Sequence, residues 1–179
     1  MKIFVTVGFE RKPFDRLLRI VDRGVVRGVI SRDLIVQNGH SRYRPRFGRI
    51  QKVLDFDEMK RTIQASDIIV SHAGVGTVLF CLDQGKIPIL FPRRAHLGEH
   101  VDDHQYVFAE KLARLKIAPA AFGEEVLIRM IQNYSQILPT FKPPEEHSRA
   151  ARLVESIRDI LNEMGEKKGK RHGSAVSRS

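Results

Sequence analysis

Ile68-Ile69-Val70-Ser71-His72-Ala73-Gly74-Val75-Gly76-Thr77 decides the fold: a short apolar run enters a glycine turn, and the turn opens a helix. Three β-branched residues in a row suit a strand buried on both faces, which is what a parallel sheet with helices above and below requires. In such a sheet the strand ends and helix starts meet along one edge. Free amides and the positive helix terminus there favour a phosphate or diphosphate. Gly74 and Gly76 let the backbone approach an anion without β-carbons in the way, and Thr77 adds a hydroxyl donor. The same spacing also serves a plain tight turn. It is not a G-x-G-x-x-G fingerprint, because position 79 is Leu79, nor a P-loop, because no Gly-Lys-Ser/Thr follows.

The pattern repeats outward from this stretch. Upstream, Ile3 to Val7 ends at Gly8, and Phe14, Leu17, Leu18 and Val21 then recur at helical spacing. Leu34 to Val36 predicts a second strand, closed by the turn Gln37-Asn38-Gly39; Ile50 to Leu54 predicts a third, and Asp57 to Ala65 a helix with Asp55 or Asp57 near its cap. Downstream come a helix over Thr77 to Gln84, a strand over Pro88 to Phe91, a helix over Val101 to Leu115, a short strand at Ile117 to Ala118 and a helix over Glu124 to Tyr134. Strands and helices alternating at this interval predict an α/β domain over residues 1–138, a Rossmann-like parallel sheet with helices on both faces. Pro139, Pro143 and Pro144 then break the pattern over 139–164, ahead of an amphipathic helix over Ser148 to Met164 with Leu153, Val154, Ile157, Ile160, Leu161 and Met164 on one stripe. That stripe suits packing on the chain's own sheet layer or docking a partner. Residues 165–179 read as a basic, disordered tail.

A chain of 179 residues holds one ordinary domain and not two large ones. The single cysteine, Cys81, excludes an internal disulfide framework and fits a reducing cytoplasm. The opening MKIFVTVGF is not a signal peptide, and no run reaches the ~18 apolar residues of a spanning helix. The formal charge of +10 favours nucleic acid, anionic lipid or phosphorylated ligands without choosing among them. Ser41 to Lys52 concentrates it, with Arg42, Arg44, Arg46, Arg49 and Lys52 and no acid, and the tail adds Lys167, Lys168, Lys170, Arg171 and Arg178 against Glu166. Both segments read as solvated loops or as surfaces for a membrane or a partner. Nucleic acid is disfavoured, since Tyr43 and Phe47 are the only aromatics in the first segment and no recognition module is present.

A second polar cluster, Pro92-Arg93-Arg94 through Gly98-Glu99-His100 to Asp103-His104-Gln105, leaves the sheet at the same edge as the glycine turn. His96, His100 and His104, spaced by four, would align on a helix and with Glu99 or Asp103 suit a metal. Gly98 argues against a helix reaching His96, and no metal is expected. The favoured reading has His100, His104 and Gln105 surround a nucleotide sugar.

Val5-Thr6-Val7-Gly8, Phe14-Asp15-Arg16-Leu17, Gln37-Asn38-Gly39, Ser71 to Thr77 and the Pro92 to Gln105 cluster, in this order over about Met1 to Leu115, together resemble the C-terminal domain of glycosyltransferase family 28. The nearest look-alikes are small subunits of split enzymes, one in dolichol-linked N-acetylglucosamine transfer and one in bacterial capsule and exopolysaccharide synthesis; the Pro92 to Gln105 wording is nearer the bacterial group. The resemblance implies the C-terminal half of a two-domain GT-B enzyme, with a UDP-sugar donor and no other cofactor. It implies donor binding by Gly8, Gln37, Gly39, His72, Gly74, Gly76, Thr77, Arg93, Arg94, Glu99, His100, His104 and Gln105, with Arg93 or Arg94 offsetting charge on the leaving diphosphate. His72 is placed with the donor, and the general base is left unassigned. Also implied are inverting, metal-independent transfer of a hexose-type sugar to a lipid-linked acceptor, a membrane-anchored acceptor-binding partner, and a cytoplasmic position at the inner face of the membrane. A non-catalytic UDP-sugar-binding regulatory subunit would share every motif. Two departures stand out: Phe80 occupies the place where many relatives hold the ribose with a glutamate, leaving Asp83 and Gln84 as the candidate substitutes, and Phe9 replaces a threonine after Val7-Gly8.

Overall fold

The computed structural model describes residues 1–142. Five parallel strands, β1 (Ile3–Thr6), β2 (Leu34–Gln37), β3 (Arg49–Gln51), β4 (Ile68–Ser71) and β5 (Ile89–Leu90), form one sheet in the order β3-β2-β1-β4-β5. The order reverses beside β1, so the β1 and β4 ends open side by side at the carboxyl edge, where ligands of open α/β sheets bind. Alternation along the strands sends Ile3, Val5, Leu34, Val36, Ile68 and Val70 to one core and Phe4, Ile35 and Ile69 to the other. The first core is covered by α1 (Asp15–Val26) through Leu17, Leu18, Ile20, Val21 and Val25, and by α5 (Glu124–Gln132) through Leu127 and Ile131. The second is covered by α2 (Phe56–Gln64) through Met59 and Ile63, and by α3 (Val75–Asp83) through Cys81.

The α/β, Rossmann-like expectation agrees with this architecture, and β4 lies on the apolar run that enters the glycine turn. Two local differences have visible causes. The helix expected from Val101 begins at His104, as α4 (His104–Arg114). Ahead of it, Asp102 accepts from the His104 amide at 3.1 Å and Asp103 accepts from the Ala95 amide at 2.9 Å, so side chains fold this stretch into turns. The strand expected at Ile117 to Ala118 is instead one parallel bridge between Leu90 and Ala120. Pro119, which has no N–H, sits there and only accepts, from Leu90 at 2.8 Å. β3 stops at Gln51, short of the predicted Leu54. The described chain closes with α6 (Tyr134–Ile137) and a 3-10 turn over Leu138–Thr140. The predicted helix over Ser148 to Met164 and the basic tail lie outside the described residues. No helix among the described residues is long and apolar enough to cross a membrane.

Candidate functional site

The glycine turn is built from a strand end, one left-handed residue and an uncapped helix. The His72 amide donates to the Thr6 carbonyl at 3.2 Å, which extends the β1–β4 pairing one residue past the strand. Ala73 then turns the chain at φ 63°, and Gly74 stands as N-cap of α3 with no side chain bonded to the helix terminus. The first amides of a helix have no partner within it, so those of Val75, Gly76 and Thr77 form a donor set at the positive end of α3. Gly76 is exposed and Thr77 half-buried.

His72 joins this turn to the β1–α1 turn. A β-carbon at Gly8, whose φ is 74°, or at Gly74 would fall on the His72 ring nitrogen Nε2, so both turns close on the imidazole only because both residues are glycine. Burial, then the nearby Arg93 charge, push the His72 pKa down to about 3. The ring is neutral at physiological pH, and its Nδ1 is buried without a partner. Gly39 lies beside the same turn, with its missing β-carbon facing the Gly8 carbonyl. Gln37 is fully buried; it accepts from the Thr6 hydroxyl, and its Nε2 has no partner.

Arg93 and Glu99 act from inside the protein. Arg93 is fully buried and donates to the carbonyls of Val7 at 2.7 Å, Lys12 at 2.8 Å and Glu99 at 2.9 Å, with its guanidinium 4.7 Å from the Phe14 ring centre. Burial lowers its pKa to about 10, against the opposing pull of Glu10 and Glu99. Glu99 takes a two-pronged bond from Arg16, both contacts 2.8 Å, and accepts from the Arg94 amide at 2.9 Å. Arg94 donates to the Phe122 carbonyl at 3.0 Å and lies over Tyr106. Of the two arginines expected to offset leaving-group charge, Arg93 is turned inward by its three carbonyl partners and pins the β1–α1 turn to the loop after β5. Gln105 sits behind that loop, accepting from the Arg93 amide at 3.4 Å.

His100 and His104 do not align on one helix, because α4 starts at His104; Asp102 brings them together instead, 3.1 Å from Nδ1 of each. Glu10 lies 3.7 Å from His100 Nε2. A carboxylate-oriented imidazole can accept a proton or hydrogen-bond a hydroxyl or phosphate. Asp102 and Glu10 were missed in the sequence; the Asp102 spacing between the two histidines was the available signal. Among the described residues no group of three or more His, Cys, Asp or Glu side chains is placed to hold a metal ion.

Next to the glycine turn opens a mainly apolar cavity of about 530 Å³, lined by Phe9, Leu54, Asp55, Phe56, Met59, Gly76, Thr77, Leu79, Phe80 and Asp83. Phe56 and Phe80 meet across it with ring centres 4.9 Å apart. Asp55 caps α2 at its rim in a reciprocal pair of bonds with Glu58. Of this wall, the sequence pointed to Gly76 and Thr77 as donor-binding residues and to Asp83 as a substitute for the ribose glutamate.

The glycosyltransferase family 28 C-terminal domain matches residues 3–168. Among solved structures, the glycotransferase of kitacinnamycin superposes with a TM-score of 0.52 at 15% identity, covering 78% of this chain and 36% of that one. The glycosyltransferase SnogD from Streptomyces nogalater gives 0.50 at 17% identity, covering 78% and 37%. The chain thus spans little more than a third of the length of these structures. No curated protein matches it.

Proposed function

The chain belongs to the glycosyltransferase family 28 C-terminal domain family, and from that premise we propose that it is the donor-binding subunit of a UDP-sugar-dependent glycosyltransferase. The observation that carries the reading is the juxtaposition of an uncapped helix terminus at Val75 to Thr77 with the apolar cavity that shares Gly76 and Thr77. A nucleoside diphosphate has the matching parts: a flat base and ribose for the cavity, and two phosphates for the amides. Phe56 and Phe80 offer aromatic faces to the base; Asp55 and Asp83 on the rim are the carboxylates within reach of ribose hydroxyls, where Phe80 offers none. The sugar then points toward His100 and His104.

In transfer, an acceptor hydroxyl oxygen attacks the anomeric carbon from the face opposite the diphosphate, and the bond from that carbon to the phosphate oxygen breaks. UDP leaves with the electron pair, and the hydroxyl proton goes to a base on the acceptor side. Charge grows on the diphosphate as the bond breaks, which is where the α3 amides stabilise it. The sugar is of hexose type, the acceptor lipid-linked, and the acceptor surface belongs to a membrane-anchored partner subunit. The match to a C-terminal domain supports an acceptor surface that lies outside this donor domain.

The test is transfer from radiolabelled UDP-glucose, UDP-galactose, UDP-glucuronate or UDP-N-acetylglucosamine to membrane lipid extract. The assay uses the chain alone, the chain with its co-expressed partner, and both in EDTA. Transfer only with the partner, persisting in EDTA, is expected. Transfer by the chain alone would refute the split arrangement, and loss in EDTA restored by manganese would refute metal independence.

A further inference from the structure

β2 and β3 are parallel neighbours, yet residues 38–48 between them contain no helix; the chain returns along α1 as an extended ribbon. Along the ribbon exposure alternates: Arg42, Arg44 and Arg46 face solvent, while Tyr43, Pro45 and Phe47 are turned half under. The inward side is fastened. The Tyr43 hydroxyl donates to the buried Asp22 carboxylate at 2.7 Å, the Arg46 amide donates to the same carboxylate at 2.9 Å, and Asp15 accepts from the amides of Arg42 and Tyr43 at 2.8 and 3.0 Å. Arg19 lies over Tyr43, and Arg32 and Arg46 lie by Phe47. The ribbon continues into edge strand β3, where Ile50, 38% exposed, keeps to the α1 face while Arg49 turns to the α2 face and lines a cavity with Glu58; Lys52 and Val53, the latter 53% exposed, follow in the next turn. None of the side chains of Arg42, Arg44, Arg46, Arg49 or Lys52 is ion-paired with an acid among the described residues.

We propose that this outward arginine ridge is a docking surface for the anionic head groups of a lipid bilayer, acting through the chain itself rather than through a partner or the basic tail. It goes beyond the transfer reading and does not depend on it. Asp15 and Asp22 bond the ribbon's amides and the Tyr43 hydroxyl rather than the guanidinium groups of Arg42, Arg44 and Arg46, and so hold these arginines in place. A ridge held in advance loses little freedom on docking. The chemistry favours lipid over nucleic acid for two reasons. Single strands are gripped by aromatic faces beside the charges, and here both aromatics face inward, against α1 and already under guanidinium groups. Exposed aliphatic side chains that follow the arginines, Ile50 and Val53, suit the head-group and acyl boundary and have no partner on a phosphate backbone.

The test is sedimentation of the full chain with vesicles of phosphatidylcholine alone or with one third phosphatidylglycerol, in about 0.1 M salt. Binding only to the anionic vesicles is expected, weakening as salt rises. Arg42→Gln, Arg44→Gln and Arg46→Gln together should lower the partition coefficient on the order of 100-fold, since each cation near such a surface contributes roughly fivefold. The triple lysine variant should retain binding, which separates loss of charge from loss of fold, and circular dichroism of the glutamine variant checks the latter directly. Replacing Lys167, Lys168, Lys170 and Arg171 by glutamine should leave most binding intact. The proposal is overturned if the tail variant abolishes binding while the ridge variant does not. It is equally overturned if the chain ignores anionic vesicles, including the case where it captures a single-stranded oligonucleotide through these arginines.

Discussion

His72 and the two glycines against it form a three-part joint, and its energetics are testable one residue at a time. Gly74→Ala forces a β-carbon onto the imidazole and should cost about 1–3 kcal/mol, as overpacking of a closed site does. Adding His72→Ala should recover part of that loss; urea unfolding of the two single variants and the double variant reads the coupling, and simple additivity would contradict the joint. Gly76→Ala meets nothing within 4 Å and lies in a helix, so it should be neutral or stabilising by up to about 1 kcal/mol. The imidazole also sets a pH dependence. Its folded pKa, about 3, lies below the unfolded value of 6.5, so the unfolded chain binds the extra proton between them and stability falls as pH drops through that window. The slope from this one group is about 1.4 kcal/mol per pH unit below 6.5. Urea midpoints from pH 7 to 5 should therefore converge between wild type and His72→Gln; parallel curves would show that the ring is not held neutral.

At the scale of elements, Arg93 ties the β1–α1 turn to the loop after β5, and a single lysine cannot serve three carbonyls in one plane. Arg93→Lys should cost about 2 kcal/mol or more in urea unfolding, and should weaken UDP binding through displacement of Gly8 and the His100 loop. Unchanged stability would contradict the pinning role. This is also where the sequence was hardest to read. The glycine turn was legible because a run of β-branched residues followed by two glycines has few other uses. The Asp55 cap was legible because capping is local; Asp55→Ala should lower stability by about 1 kcal/mol. Arg93 looked like a ligand-facing charge, since nothing near it in sequence says that carbonyls 81 and 86 residues away will take its guanidinium. The cavity was hidden for the same reason: Phe9, Phe56 and Phe80 come from three connections, and only the sheet order brings them together. The alternation of arginine with Tyr43, Pro45 and Phe47 is period two, but turns and a proline made it read as a loop, and the buried Asp22 that anchors it lies a helix away.

For the whole molecule, one parallel sheet brings a glycine turn, an uncapped helix terminus and an apolar cavity together at its carboxyl edge. On the proposed function, the uncapped α3 terminus and the cavity beside it hold a uridine diphosphate. Isothermal titration of UDP into the wild-type chain and into Gly76→Val tests it most directly. Gly76 is exposed with open space around it, so the valine should leave the circular dichroism spectrum and urea midpoint close to wild type while shielding the α3 amides and narrowing the cavity mouth. Saturable UDP binding is expected for the wild type, with at least a tenfold loss, about 1.4 kcal/mol, in Gly76→Val. Equal affinity in the two folded proteins, or no UDP binding by either, would contradict it.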